Sequence, residues 1–199
     1  MSVIRAFIAI ELTDEIHQRL DEVIARYKKQ MPQVPIRWVP AKNIHLTLKF
    51  LGDVSVASLE LLTSQLQKEV AAHPSFEISV GGSGAFPNPR RARVIWVGVE
   101  APAELAAVQS GIESGMELLG YAREDRPFSP HLTLGRVSRN ATAPDLRMIA
   151  QAVETTKVSF LGAVRVRQVQ LFRSDLQPTG AVYTRIFTAP FSEPAQSNY

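Results

Sequence analysis

The sequence predicts an α+β fold arranged as two similar lobes, and three observations carry that expectation. Strand-like apolar runs alternate with amphipathic stretches at helical spacing, no low-complexity linker divides them, and the tetrapeptide HLTL occurs twice, at 45–48 and 131–134. A chain of 199 residues at 45% hydrophobic can bury one compact domain or two small fused lobes, and residues 1–199 read as one bilobal unit.

Val3 to Ile10 is an apolar first strand. Thr13 caps the next segment, Asp14 and Glu15 suit its first turn, and Ile16, Leu20, Val23, Ile24 and Tyr27 recur at helical spacing. The proline-punctuated stretch MPQVPIRWVP separates this helix from the first HLTL strand. Val56, Leu59, Leu62, Leu66 and Val70 mark a second helix after Gly52. Phe76 to Val80 and Arg93 to Val99 read as strands of a long hairpin around GGSGAFPNPRR. Pro102 opens a third helix through Leu105, Val108, Ile112, Met116 and Leu119, and the second HLTL strand follows. Pro144 starts a short fourth helix through Val153, and runs from Val158 to Phe172 and from Ala181 to Ala189 read as closing strands. A helix stands before and after each HLTL copy; elsewhere the halves share little identity.

With 22 basic against 19 acidic side chains the net charge is +3, which permits an anionic partner without demanding one. The chain has no cysteine, which removes disulfides, thiolate metal sites and thiol nucleophiles and suits a reducing compartment, so the cytoplasm is expected. In MSVIRAFIAIELTDE the apolar run ends at Glu11, too soon for a signal peptide or a membrane span.

Two of the four histidines fall inside the repeated tetrapeptide. Side chains on a strand alternate faces, so His45 and Thr47 point one way while Leu46 and Leu48 point into the core, and His131 and Thr133 repeat the arrangement. Either histidine alone fits a half-buried strand residue held by a local hydrogen bond. As a pair on facing lobes, they would supply two imidazoles and two hydroxyls around an anion. One imidazole can take a proton from water while the other gives one to a leaving oxygen, and threonine hydroxyls can hold phosphate oxygens. A phosphoester suits that set. Arg136 would add a fork of charged donors, but five residues after His131 a regular strand places it on the opposite face. A bulge permitted by Gly135, or the reach of the long side chain, would resolve the conflict.

The stretches HLTLKFLGDV, GAFPNPRRARVIWVGV, SPHLTLGRV and LFRSDLQPTGAVYTRI resemble the two-histidine phosphoesterase superfamily, and within it the bacterial RNA 2′,3′-cyclic phosphodiesterases, also called 2′-5′ RNA ligases. The resemblance spans nearly the whole chain. It implies two pseudo-symmetric lobes, each with an antiparallel sheet and flanking helices, and a cleft between them where the motifs meet. It implies opening of a terminal 2′,3′-cyclic phosphate to a 2′-phosphate without metal or other cofactor, together with joining to a 2′-5′ linkage. It assigns His45 as the proton donor to the leaving 3′ oxygen, His131 as the proton acceptor from water, and Thr47, Thr133 and Arg136 as phosphate-holding residues. The letters around the two motifs do not themselves order acid and base. RNA ends or small cyclic-phosphate nucleotides are the implied substrates; a monomer is expected.

Two other readings compete. A single-strand RNA module could clamp a terminal phosphate without turnover; a metal hydrolase could use His45 and His131 as ligands, although no third ligand with suitable spacing accompanies them. Arg90, Arg91 and Arg93 suit either an RNA backbone path or a solvated turn. Phe7, Phe50, Phe86 and Phe172 are expected mainly in the core, with base stacking as the alternative. His17, on an expected solvated helix face, and His73, before Pro74, read as structural.

Overall fold

The computed structural model describes residues 2–100, 102–177 and 180–192. The outermost residues of the expected 1–199 unit, and two within LFRSDLQPTGAVYTRI, therefore lie outside the described ones. The elements run β1 (Val3–Ile10), α1 (Asp14–Gln30), β2 (Ile36–Trp38), β3 (Leu46–Ser55), α2 (Leu59–Ala71), β4 (Phe76–Phe86), β5 (Val94–Glu100), α3 (Ala103–Leu118), β6 (His131–Val137), α4 (Ala143–Thr155), β7 (Gly162–Val166), β8 (Gln168–Gln177) and β9 (Gly180–Pro190).

The helices form where periodicity and caps place them. The Thr13 side chain accepts from the Ile16 N–H, and Ile16, Leu20, Val23, Ile24 and Tyr27 are all buried along one stripe of α1. On α4, Thr142 and Asp145 close a reciprocal capping box with Pro144 in the first turn. No helix among the described residues is long and apolar enough to cross a membrane.

The strands make two antiparallel sheets, ordered β3-β1-β8-β9 and β2-β6-β5-β4-β7. One continuous apolar core runs from Ile8, Ile10 and Leu46 of the first sheet to Val97, Leu132 and Leu134 of the second. The lobes are nevertheless not the two halves of the chain. β2 precedes the first HLTL copy yet pairs with β6, and β8 and β9 return from the C-terminal half to complete the first sheet. Two sequence expectations change accordingly. MPQVPIRWVP is not only punctuation, because Ile36–Trp38 forms an edge strand. The run Val158 to Phe172 is not one strand, because β7 and β8 belong to different sheets.

Candidate active site

Each HLTL copy divides as its letters require. Leu46, Leu48, Leu132 and Leu134 are buried in the core, while His45, Thr47, His131 and Thr133 lie half-buried on the other face. β3 starts at Leu46, so His45 is held just before the strand, whereas His131 is the first residue of β6.

The two motif strands carry the same irregularity. On β6, Thr133 pairs with Trp96 and Gly135 with the adjacent Ile95, leaving Leu134 as an extra residue. The bulge shifts the parity, so Arg136, opposite Val94, joins Thr133, opposite Trp96, and His131, opposite Gly98, on one face. On β3, Thr47 pairs with Ala9 and Lys49 with Ile8, leaving Leu48 extra, and Phe50 then pairs with Phe7. Phe50 thereby occupies in the first sheet the place Arg136 occupies in the second. The residue between is turned inward in both copies, and there too they differ: Lys49 in one, Gly135 in the other. A Cβ on Gly135 would come within 2.8 Å of the Ile36 side chain and 2.9 Å of the Trp38 ring, so glycine is what lets β2 pack this close.

Both imidazoles are oriented by their own backbone. His45 Nδ1–H donates to the Asn43 carbonyl at 2.9 Å, and His131 Nδ1–H donates to the Ser129 carbonyl at 2.7 Å. A carbonyl can only accept, so each ring carries its proton on Nδ1 when neutral and presents a free Nε2. Their surroundings diverge. His45 stacks on Phe7 at 4.6 Å between centroids and meets the edge of Tyr183 at 5.3 Å, within a small aromatic cluster that includes Phe172. Burial lowers the His45 pKa to about 4; the Asn43 carbonyl opposes the shift, and His17 adds to it. His131 meets Phe86 edge-on at 4.9 Å.

Three aromatic residues expected mainly in the core thus surround the histidines: Phe7 and Phe172 lie under His45, and Phe86 lies beside His131. Phe50, 62% exposed, offers an unburied ring next to Phe7. His17 is not on a solvated face: its Nε2 bonds the Ile44 carbonyl at 3.1 Å, immediately before His45. His73 is structural, pairing with Glu69 one turn back on α2. Arg90 and Arg91 lie in a 3-10 turn before β5, and Arg93 reaches the Ser138 carbonyl.

Two connections bring the motif strands together although they belong to different sheets. The Val39 N–H donates to the Leu134 carbonyl on β6, and the chain then reaches His45 through a 3-10 turn at Ala41–Asn43. Behind the site, the Lys49 ammonium donates to Glu113 Oε2 of α3 at 2.6 Å and to the Ala122 carbonyl at 2.8 Å. Gln109 joins the same polar knot by donating to Glu113 and to the carbonyl of the bulged Leu48. Both charges of the pair are buried, and the knot ties β3 to the segment that leads into β6. β3 and β6 are in contact. Among the described residues no group of three or more His, Cys, Asp or Glu side chains is placed to hold a metal ion.

The profile of the LigT-like phosphoesterases matches the chain twice, over residues 10–96 and 97–183, with one HLTL copy in each match. The boundary falls inside β5, so the repeat in sequence does not coincide with either sheet. The RNA 2′,3′-cyclic phosphodiesterase of Methanothermobacter thermautotrophicus is 34% identical over 91% of this chain and 95% of its own length. That of Archaeoglobus fulgidus is 34% identical over 90% of this chain and 96% of its own. Among solved structures, a Thermus thermophilus protein superposes with a TM-score of 0.77 at 27% identity, covering 94% of this chain and 97% of that one. Escherichia coli LigT complexed with 3′-AMP superposes with a TM-score of 0.76 at 26% identity, covering 96% and 99%.

Proposed function

The chain belongs to the LigT-like phosphoesterases, and from that premise we propose that it is an RNA 2′,3′-cyclic phosphodiesterase in which His45 and His131 act as one acid–base pair. The observation that carries the reading is the matched presentation of the two imidazoles, each pinned through Nδ1 to a carbonyl two residues back and left with Nε2 for chemistry. Water attacks phosphorus as His131 Nε2 takes its proton. The bond from phosphorus to the 3′ oxygen breaks, that oxygen receives a proton from His45 Nε2, and a 2′-phosphate remains. Thr47, Thr133 and Arg136 hold the non-bridging oxygens and offset the charge that grows on them. When the 5′-hydroxyl of a second RNA replaces water, the same displacement forms a 2′-5′ linkage.

The environment of His45 bears on its role. With its pKa lowered to about 4 by burial, the ring is neutral in the free protein at physiological pH. A phosphate oxygen against Nε2 favours the imidazolium and works against burial, so the donor acquires its proton as the anionic substrate docks. Phe50 and Tyr183 flank the same ring cluster and give a nucleobase an apolar wall beside the phosphate position. The relative from Escherichia coli was crystallised with 3′-AMP, which fits a site built for a nucleotide.

The test is incubation of the protein with a short RNA ending in 2′,3′-cyclic phosphate in the presence of chelator. Turnover by the wild type and its loss in His45→Ala is the expected result. Binding without product would instead identify a non-catalytic RNA-end module, and activity restored only by added metal would identify a metal hydrolase.

A further inference from the structure

Arg37 is the central residue of β2, and register places it directly opposite Arg136 on β6. Its neighbours Ile36 and Trp38 are half-buried while Arg37 is exposed, so it shares the face that presents Arg136, Thr133 and His131. Directly opposed residues of an antiparallel pair have Cβ atoms about 5 Å apart, and like charges at that spacing repel. Among the described residues neither guanidinium forms an ion pair with a carboxylate, although five other arginines do. The protein keeps the two cations side by side on a rigid footing: the Val39 N–H bonds Leu134, the Ser138 N–H bonds Pro35, and β2 packs onto the bare Cα of Gly135.

We propose that Arg37 forms a second phosphate position, which takes the internal phosphodiester next to the cyclic-phosphate nucleotide of an RNA end. This inference rests on the proposed function, which gives the reacting phosphate to His131, Thr133 and Arg136. Arg37 stands one strand farther out, about 4.8 Å, toward the edge where β2 ends the sheet. A chain leaving the site across that edge brings its next anionic group between the two guanidinia and removes their repulsion. A cyclic mononucleotide has no such group. Arg37 therefore selects oligonucleotide ends over mononucleotides, by charge and not by base sequence.

The test compares wild type, Arg37→Ala and Arg37→Lys on 2′,3′-cyclic AMP and on a short oligoribonucleotide ending in cyclic phosphate, at several salt concentrations. For the oligonucleotide, Arg37→Ala is expected to lower kcat/KM roughly tenfold, the scale of one hydrogen bond to a charged group, and to reduce the salt slope by about 0.7. For the mononucleotide the change should stay within about twofold, and Arg37→Lys should recover part of the oligonucleotide loss because the point charge remains. Equal losses on both substrates would overturn the proposal by placing Arg37 at the reacting phosphate. An unchanged oligonucleotide rate would overturn it by leaving Arg37 as a solvated side chain. Fluorescence anisotropy with the same oligonucleotide ending in a 2′-phosphate gives a readout that needs no turnover. If the wild type hydrolyses neither substrate, the proposed function fails, and weaker binding by Arg37→Ala still decides for the second phosphate position, unchanged binding against it.

Discussion

His45 sits on a stack of aromatic rings and loses most of its basicity to burial, while His131 meets the edge of one ring at the mouth of its strand. Yet both are fixed by the same hydrogen bond to the same relative carbonyl. The two rings are controlled at two levels. The tautomer is set locally, by the carbonyl two residues back in each copy, whereas the proton affinity of His45 is set by what the rest of the chain packs against its ring. Three residues past each threonine the lobes diverge again. An identical bulge brings Phe50 to the surface in one sheet and Arg136 in the other, so one wall offers apolar area and the other charge. A nucleotide has both kinds of surface, a base and a phosphate.

The largest effect expected from breaking this pair is chemical. His45→Ala and His131→Ala should each lower kcat by roughly 10²–10⁴-fold, the range of a lost acid or base, with far-UV circular dichroism unchanged. Substantial activity in either variant would mean that the lobes do not work as a pair.

The inward-turned residues differ as sharply as the outward ones, and here the effect is on stability. Lys49→Met leaves Glu113 buried without its cation and should cost about 3–5 kcal/mol in denaturant unfolding. Replacing both, as Lys49→Met with Glu113→Leu, should recover much of that loss. A double variant no more stable than the worse single would show that Glu113 is needed for Gln109 and the Glu124 backbone instead.

Arg136 and Phe50 sharpen the contrast between the walls. Arg136→Ala should lower kcat by about 10²-fold, as loss of a donor to developing charge does. Phe50→Ala should act mainly through KM, by roughly 1–3 kcal/mol for a lost stacking partner. Steady-state kinetics on one oligonucleotide reads both, and matching kcat losses would erase the distinction.

The pH dependence of folding tests the burial of the His45 ring apart from any turnover. The folded pKa of His45, about 4, lies below the unfolded value near 6.5, so between these limits the unfolded chain binds more protons. The stability of the neutral buried ring is fully present above pH 6.5 and declines as pH falls toward 4. Thermal unfolding should show the wild-type Tm dropping through that window by roughly 6–12 °C more than that of His45→Gln, the product of about 3 kcal/mol and roughly 2–4 °C per kcal/mol at this chain length. Parallel curves would remove burial as the cause.

Much of the site was legible in the letters because it depends on strand alternation. Leu against His and Thr sorted core from surface in both motifs, and the parity conflict at Arg136 pointed to a bulge beside Gly135, which the β5–β6 register contains. The helical stripes were equally plain, since α1 buries the five residues its periodicity marks. What stayed hidden depends on long-range pairing. Nothing local in PIRWVP shows that three residues between prolines add an edge to the other lobe's sheet and carry Arg37 with them. Lys49 looks like an exposed strand lysine until the bulge at Leu48 turns it inward against Glu113. Phe7 and Phe172 look like core residues, and they are buried, but what covers them includes the His45 ring.

The most direct measurement is the identity of the product end. Chelator-treated wild-type protein given a defined RNA with a terminal 2′,3′-cyclic phosphate should leave a 2′-phosphate with a free 3′-hydroxyl, and both His45→Ala and His131→Ala should leave the cyclic end intact. A 3′-phosphate product, or the same product from either alanine variant, would contradict the acid–base pair assigned to the two lobes.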